Sequence, residues 1–207
     1  RVRAVLRSYA RNISTMTTAS TIMGDVRAND ISITDKTLSN YLTALRRLFI
    51  IEDVKAWQPS LRSRTGIRTS DKRHFVDTSI ATAILELNPK SVLEDFELFG
   101  FLFEDFCLRD IRVYTELLRG TVYHYHDNSN LEADLIIRLH DGRWAAIEVK
   151  TGSKEIEEAA ENLITLSNEV NTSKIGSPSF LMVLTAGQYA YRREDGVYVV
   201  PIGCLKP

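Results

Sequence analysis

The sequence predicts a mixed α/β protein, with helices in the first half of the chain and most of the strands in the second half. Apolar residues recur at helical spacing up to about residue 111. Between residues 121 and 150, side chains alternate between two faces as they do along strands. An amphipathic helix at 154–170 then precedes two closing strands at 179–184 and 196–201. The predicted order of the second half is helix, three strands, helix and strand.

The N-terminal third of the chain predicts three helices. The first carries apolar residues at helical spacing: Val2, Val5, Leu6, Tyr9 and Ala10. A short helix is expected at 18–23, within a polar stretch rich in serine and threonine. Thr34 is placed to cap a third helix at 35–49, whose outer face carries Arg46 and Arg47.

Two segments after these helices predict a β-hairpin. The run 50–57 has the composition of a strand, and 72–76 is a candidate partner. Three short helices followed by a hairpin is the pattern of a winged-helix domain. The stretch TLSNYLTALRRLFII is similar to the second helix pair of such domains. The resemblance implies a winged-helix-like subdomain over residues 1–78.

Positive charge is concentrated from the third helix to the second of these strands. Residues 46–73 hold eight basic and three acidic side chains, in a chain whose net charge is −1. Basic residues on a recognition helix and on an exposed wing would neutralise nucleic-acid phosphates. The predicted nucleic-acid contacts are Arg46, Arg47, Arg62, Arg64 and Arg68. The alternatives are that this subdomain contacts protein, and that the basic loop is only solvated.

A second pair of helices is predicted at 80–87 and 93–111, separated by Asn88 and a proline that ends the first helix. The second helix is apolar nearly all round, which is typical of a buried helix. Glu104 lies within it. Because burying an unpaired carboxylate is costly, we expect Glu104 to meet a metal ion, solvent in a cleft, or a basic partner such as Arg109.

The segment 131–152 predicts two strands joined by a tight turn. A two-residue turn would place Asp134 opposite Val149 and separate the acidic residues across the sheet. The three-residue loop 140–142 ends on glycine, where a left-handed residue is needed. That loop places Asp134 directly opposite Glu148.

Two opposed carboxylates repel each other, because their Cβ atoms lie only roughly 5 Å apart. Lys150 follows Glu148 by two residues and therefore shares its strand face. This group suits a divalent cation, because hard cations take carboxylate oxygens as ligands. The sequence therefore predicts a metal site at Asp134 and Glu148. The alternative is a solvated hairpin with ordinary surface charges.

These residues resemble the core motif of the PD-(D/E)xK nucleases. In that family an acid on one strand and an acid-x-lysine on the next bind Mg²⁺ and position a water at a phosphodiester, and a preceding helix adds a glutamate. The matching residues are Glu104, Asp134, Glu148 and Lys150. The resemblance implies catalytic roles for all four, binding of Mg²⁺ or Mn²⁺ by the three acids, and a restriction-endonuclease-like αβββαβ core over residues 79–207. Ala133 stands where the family has a proline.

The winged helix and this core together resemble an uncharacterised family of C-terminal regions that follow a P-loop AAA+ ATPase module in prokaryotic proteins. The resemblance implies an ATPase module before Arg1, so the chain is expected to be a piece of a longer protein. No G-x-x-x-x-G-K-[ST] motif occurs, and no ATP site is expected in this chain. The implied function is Mg²⁺-dependent hydrolysis of DNA. The alternative is a non-catalytic module of the ATPase that binds nucleic acid or protein.

Zinc is a further alternative for the histidines. His124 and His126 lie two residues apart on the predicted strand 121–126, which puts them on one face. No third ligand is evident from the sequence, so a structural role for both is favoured.

The remaining composition indicates the cellular compartment. The two cysteines, Cys107 and Cys204, have neither disulfide-framework nor metal-site spacing, which suits a reducing cytoplasm. No apolar run is long enough to span a bilayer, and no signal peptide is visible. We therefore expect a cytoplasmic protein without membrane contact.

Overall fold

A computed structural model describes residues 1–62 and 65–206 and shows a mixed α/β protein, as the sequence predicts. The chain divides into two compact units, which are described separately below. Unit 1 comprises Arg1–Val54 and Ser70–Arg109, and unit 2 comprises Lys55–Thr69 and Asp110–Pro207.

The described residues form eight α-helices. They are α1 (Val2–Arg11), α2 (Ala19–Ala28), α3 (Asp35–Arg47), α4 (Thr78–Ile84), α5 (Pro89–Glu94), α6 (Phe96–Leu117), α7 (Ile156–Glu169) and α8 (Thr172–Ile175). Threonine side chains cap α2 and α3, because the first backbone N–H groups of a helix lack internal acceptors. Thr18 accepts from the Thr21 N–H, and Thr34 accepts from the Thr37 N–H, each at 3.2 Å.

Unit 1 has a core made by the apolar faces of its helices. α1, α2 and α3 bury residues at the predicted helical spacing: Val5, Tyr9, Ala10, Ile22, Val26, Leu38, Leu42 and Leu45. Ala81 of α4 and Leu102 of α6 are buried in the same cluster. Residues 79–109 therefore belong to the N-terminal unit, whereas the sequence places a domain boundary after residue 78. Apolar contacts between elements distant in sequence decide this division.

The predicted hairpin in unit 1 is present only as two isolated antiparallel bridges. Ile51 pairs with Phe75, and Val54 pairs with Lys72. The segment Lys55–Thr69, which would form the tip of a wing, belongs to unit 2. There Ala56 forms a parallel bridge with His124 of the sheet.

Trp57 explains why this segment joins unit 2. Its side chain is buried, and its ring lies 4.9 Å from that of Trp144 and 6.4 Å from that of Tyr125, measured between centroids. Burial of large aromatic surfaces outweighs the solvation that a free loop would retain.

The long helix predicted at 93–111 is interrupted at Asp95. α5 ends at Glu94, and the Asp95 carboxylate caps α6 by accepting the Leu98 N–H at 3.0 Å. An aspartate favours such a position because it satisfies the free N–H groups of the following turn. The beginning of α6 is not buried as predicted, since Phe96 is 75% exposed.

Unit 2 contains a six-stranded mixed sheet. Its strands are β1 (Gly120–His126), β2 (Glu132–Leu139), β3 (Trp144–Lys150), β4 (Leu181–Thr185), β5 (Tyr191–Arg192) and β6 (Tyr198–Pro201). The order across the sheet is β1-β2-β3-β4-β6-β5. β1, β2 and β3 are antiparallel neighbours, whereas β3, β4 and β6 run parallel. β5 is the strand that the sequence does not predict.

Helix α7 connects the parallel strands β3 and β4 and packs on the sheet. Its inner face buries Ile156, Ala159, Ala160, Leu163 and Leu166, in agreement with the predicted amphipathic pattern. These residues form one cluster with buried residues of β2, β3 and β4: Ala133, Ile136, Trp144, Ala146 and Val183. This core holds β2 and β3 rigidly, and those two strands carry the predicted acidic site.

None of the helices in the described residues is both long and apolar enough to cross a membrane.

Candidate functional site

The β2–β3 hairpin has the register that the three-residue loop predicts. The Leu139 N–H donates to the Arg143 carbonyl at 2.9 Å, and Gly142 has a φ of 93°, which is the left-handed conformation expected there. Leu135 pairs with Ile147 at the other end of the ladder. Asp134 and Glu148 are the next residues on the two strands, and the charge of Asp134 acts on Glu148.

Asp134 is held in place by the backbone of the neighbouring strand. Its Oδ2 atom accepts the Val149 N–H at 2.8 Å. The residue is 7% exposed, so the carboxylate faces little water. An acceptor bond of this kind orients the side chain toward β3, the strand that carries Glu148.

Glu148 is fully buried and incompletely satisfied. Its exposure is 0%, and its Oε1 atom has no hydrogen-bond partner among the described residues. The Lys150 ammonium lies 3.0 Å from Oε2 and forms an ion pair. Burial, and then the charge of Asp134, raise the pKa of Glu148 well above its usual value despite Lys150. A buried carboxylate with unused acceptor capacity is costly unless a further cation or donor meets it.

Lys150 completes a group of three charged side chains. Burial opposes its charge, but Glu148 and Asp134 outweigh burial and raise the pKa of Lys150. Lys150 therefore stays protonated and supplies a fixed positive charge beside the two acids. Its side chain retains 26% exposure, so solvent reaches this end of the group.

The donor set suits Mg²⁺ or Mn²⁺ better than zinc. Asp134 and Glu148 offer carboxylate oxygens, and Mg²⁺ commonly binds one or two carboxylates while keeping several waters. Across residues 1–62 and 65–206, no group of three or more histidine, cysteine, aspartate or glutamate side chains is arranged to hold a metal ion. The unpartnered Oε1 atom of Glu148 is the feature that fits a cation here.

Glu104, the predicted helix glutamate, is in unit 1, whereas Asp134, Glu148 and Lys150 are in unit 2. Glu104 is buried, and its Oε1 atom lies 2.7 Å from the Lys72 ammonium. Of the surroundings expected for Glu104, the structure therefore shows a basic partner, and that partner is Lys72 rather than Arg109. Lys72 also pairs with Val54 in one of the two antiparallel bridges of unit 1. A role for Glu104 in metal binding stays a prediction.

A family comparison covers most of the sheet unit. The family described as a domain of unknown function, DUF4143, matches residues 99–205, which is more than half of the chain. The chain belongs to the DUF4143 family. A second domain of unknown function, DUF8612, matches residues 1–91. No curated protein matches the sequence.

Among solved structures, this DUF4143 chain is similar to a chain in an assembly of Thermococcus gammatolerans McrB AAA+ hexamers with bound McrC. The identity is 11%, and the similarity covers 97% of this chain and 70% of that chain. The TM-score is 0.34, which is too low to establish a shared fold.

The DUF4143 match includes Asp134, Glu148 and Lys150, and it also includes both histidines considered for zinc. His124 is buried, and His126 Nδ1 lies 3.6 Å from Glu132 Oε2. Since the described residues hold no three-ligand cluster, these contacts favour the structural role of the histidines.

Several side chains of the predicted basic segment 46–73 form ion pairs within unit 1. Arg46 donates to Asp53 through Nε at 2.9 Å and also through Nη2, and Arg73 Nη1 lies 3.1 Å from the same carboxylate. Tyr9 Oη also donates to Asp53. Burial opposes ionisation of Asp53, but the Tyr9 and Arg46 hydrogen bonds and the charge of Arg73 outweigh it and lower its pKa. Asp53 is the residue that the sequence reasoning missed, and its only local signal is an acid within a basic run.

The other predicted nucleic-acid residues have mixed environments. Arg47 is exposed on α3. Arg62 and Arg68 are exposed as predicted, and they donate to Thr172 at 2.8 Å and to Asn130 at 2.7 Å within unit 2. Arg64 lies outside the described residues. Binding of nucleic acid by these arginines stays a prediction.

Proposed function

We propose that this DUF4143 chain carries a PD-(D/E)xK-like domain that hydrolyses phosphodiester bonds of DNA with Mg²⁺ or Mn²⁺. The order of α6, three antiparallel strands, α7 and parallel β4 supports a restriction-endonuclease-like core. The position of the acids on β2 and β3 is the one that the motif requires.

One observation carries the proposal. Glu148 is fully buried and feels the charge of Asp134; its Oε2 atom is paired with Lys150, while Oε1 has no hydrogen-bond partner among the described residues. Like charges at facing strand positions are destabilising, and burial increases that cost. A protein that only needed a stable hairpin would gain from a neutral residue at position 148, so the arrangement is best explained by a cation bound there.

Each residue of the site has a distinct role in the proposed reaction. Asp134 and Glu148 would hold the ion, and the Val149 N–H fixes the orientation of Asp134. When bound, such an ion polarises a phosphate and lowers the pKa of a coordinated water. Lys150 places a permanent positive charge where negative charge develops on the phosphate oxygens.

The remaining parts of the proposal concern the rest of the protein. Unit 1 is proposed to be a degenerate winged helix, because α1–α3 are followed by two antiparallel bridges. The sequence resemblance to regions that follow AAA+ modules supports an ATPase as a partner within the same protein. Under this proposal the ATPase drives movement or assembly on DNA, and the DUF4143 region cuts it.

A second candidate function is a non-catalytic binding module of the ATPase. It is favoured by the two ion pairs, because Glu148 is already paired with Lys150 and Glu104 with Lys72. In this function Asp134, Glu148 and Lys150 would help to select one folded structure, and they would not take part in a reaction.

Metal titration and a cleavage assay separate the two candidates. Calorimetric titration of Mg²⁺ or Mn²⁺ into the chain should show saturable binding, and the chain should nick supercoiled plasmid only with metal present. Glu148→Gln should abolish both responses. The matched control is Glu158→Gln, the same chemical change at an exposed position of α7, which should change neither. Absence of both binding and nicking in the wild-type chain would favour the non-catalytic module.

A further inference from the structure

Helix α1 presents a row of three arginines to solvent. Arg3, Arg7 and Arg11 are four residues apart and all exposed, while the opposite face buries Val5 and Tyr9. At 1.5 Å of rise per residue, neighbouring arginines are about 6 Å apart along the helix axis. Successive steps of four residues rotate by about 40°, so the three side chains stay on one face. We call this set the α1 arginine row.

The α1 arginine row differs from the basic segment that the sequence singles out. Within residues 1–62 and 65–206, none of its three members forms an ion pair with a carboxylate. By contrast, Arg46 and Arg73 share Asp53, and Lys72 pairs with Glu104. Paired cations have little charge left to attract an anion, and unpaired ones keep theirs. The α1 arginine row therefore adds unpaired positive charge to unit 1 outside residues 46–73, where Arg47 is also exposed.

A depression lies beside the α1 arginine row and is lined by further polar residues. It has a volume of about 400 Å³, and Arg7, Arg11, Ser8 and Asn29 are among the residues that line it. Asp25 also lines it, and its Oδ2 atom accepts the Ser8 hydroxyl at 2.7 Å. The Ser8 hydroxyl therefore satisfies part of the acceptor capacity of Asp25. The depression is lined by two arginines of the row and by polar groups that can contact a ligand.

We propose that the α1 arginine row binds the phosphate backbone of nucleic acid. Duplex DNA carries one charge per about 1.7 Å of helix axis, so a row of cations about 12 Å long meets several phosphates in any sequence. Arginine is well suited to this contact because its planar fork matches phosphate oxygens. The contact is sequence-independent, and it orients unit 1 on the nucleic acid.

A membrane surface is the less suitable partner for the same charges. A helix that lies in a lipid interface needs an exposed apolar face beside its basic one. In α1 the apolar residues Val5, Tyr9 and Ala10 are all 0% exposed, and Val2 at 42% is the exposed large apolar residue of the helix. The row therefore offers electrostatic attraction without a surface for insertion.

The three arginines contribute unequally. Arg11 also lines a second depression that contains Asp95 and Glu97, and these acids reduce its attraction for a phosphate. Arg3 has no such neighbours in either depression. Arg7 combines the central position with access to the first depression. We expect the loss of affinity on substitution to be largest for Arg7 and smallest for Arg11.

Fluorescence anisotropy with a labelled 20-base-pair duplex tests the proposal in EDTA. The proposal lies in unit 1 and does not depend on the metal site, so Glu158→Gln, at an exposed position of α7, should bind this duplex as the wild type does. Replacing all three arginines by glutamine should weaken binding by at least about 10-fold at 0.1 M salt. The slope of log K against log salt should decrease in magnitude by about 2–3, since each phosphate contact contributes about 0.9.

The matched control removes the same charge elsewhere. Lys36, Arg119 and Lys174 are exposed and are not among the predicted nucleic-acid contacts, and their replacement by glutamine changes the net charge equally. The control should retain most of the wild-type affinity and salt slope. Equal losses in both triple variants would show an effect of net charge alone and overturn the proposal. An unchanged salt slope in the α1 variant would overturn it as well. Loss of binding to anionic vesicles but not to duplex would assign the row to a lipid surface instead.

Discussion

The carboxylate of Asp134 accepts a hydrogen bond from the backbone N–H of Val149, across the hairpin from its own strand. This bond places the first acid of the site at the peptide that follows the second acid, Glu148. The two carboxylates are therefore brought together by backbone geometry rather than by mutual attraction.

Substitution of Asp134 separates its hydrogen-bonding role from its charge. Asp134→Asn can still accept the Val149 N–H, and it removes the repulsion with Glu148. We expect its free energy of unfolding in EDTA to equal or exceed that of the wild type. Asp134→Ala leaves the buried Val149 N–H without this acceptor and should lower the free energy of unfolding by about 1–3 kcal/mol. Urea denaturation of both variants measures this difference. Equal stability of the two variants would contradict an anchoring role for this bond.

Glu148→Gln should remove ion binding without destabilising the chain. The variant keeps the shape of the side chain and relieves its repulsion with Asp134. We expect it to melt at the wild-type temperature or higher in EDTA. It should lose the Mg²⁺-dependent rise in melting temperature, because a ligand stabilises only the state to which it binds. Melting curves of both proteins in EDTA and in excess Mg²⁺ check this. A variant that melts lower in EDTA, yet responds normally to Mg²⁺, would rule out Glu148 as a metal ligand.

The Lys72–Glu104 pair should behave as a structural ion pair of unit 1. Lys72→Met removes the cation 2.7 Å from a buried carboxylate, so we expect a loss of about 3–5 kcal/mol. The double variant Lys72→Met, Glu104→Gln should be more stable than the single Lys72→Met variant. A double-mutant cycle by urea denaturation gives the coupling energy of the pair. If Glu104→Gln instead lowers Mg²⁺ affinity with little change in stability, Glu104 belongs to the metal site, as the family resemblance implies.

The lowered pKa of Asp53 predicts that the stability of unit 1 depends on pH. Its pKa is lowered in the folded chain, so the folded state binds a proton less readily than the unfolded state. The stability that Asp53 provides is fully present above its unfolded pKa, near 3.8, and is lost as the pH falls through the lower folded value. Asp53→Asn should therefore be less stable than the wild type at pH 7. The difference should shrink progressively below about pH 4. Urea denaturation between pH 2.5 and 7 measures it, and Asp71→Asn is a control on the same basic segment. A difference that stays constant over this range would contradict the assignment.

The sequence alone determined the local features of the hairpin. A glycine at position 142 sets the loop length, and the loop length sets the register of β2 and β3. The predicted register is observed from Leu135–Ile147 to Arg138–Trp144, and Asp134 and Glu148 are the next residues along the two strands. The amphipathic face of α7 was also predictable, because helical periodicity depends only on residues that are close together in the sequence.

Tertiary structure decided where the charged and aromatic residues find their partners. Trp57 packs against the sheet of unit 2, Asp53 pairs with both Arg46 and Arg73, and Lys72 pairs with Glu104. Each partner is chosen by burial and by the close approach of segments that are far apart in sequence, and periodicity carries no information about either. On α1, by contrast, none of the three exposed arginines forms an ion pair with a carboxylate in the described part of the chain. A count of charges along the sequence singles out residues 46–73 instead, because a count does not show which charges the fold has already paired.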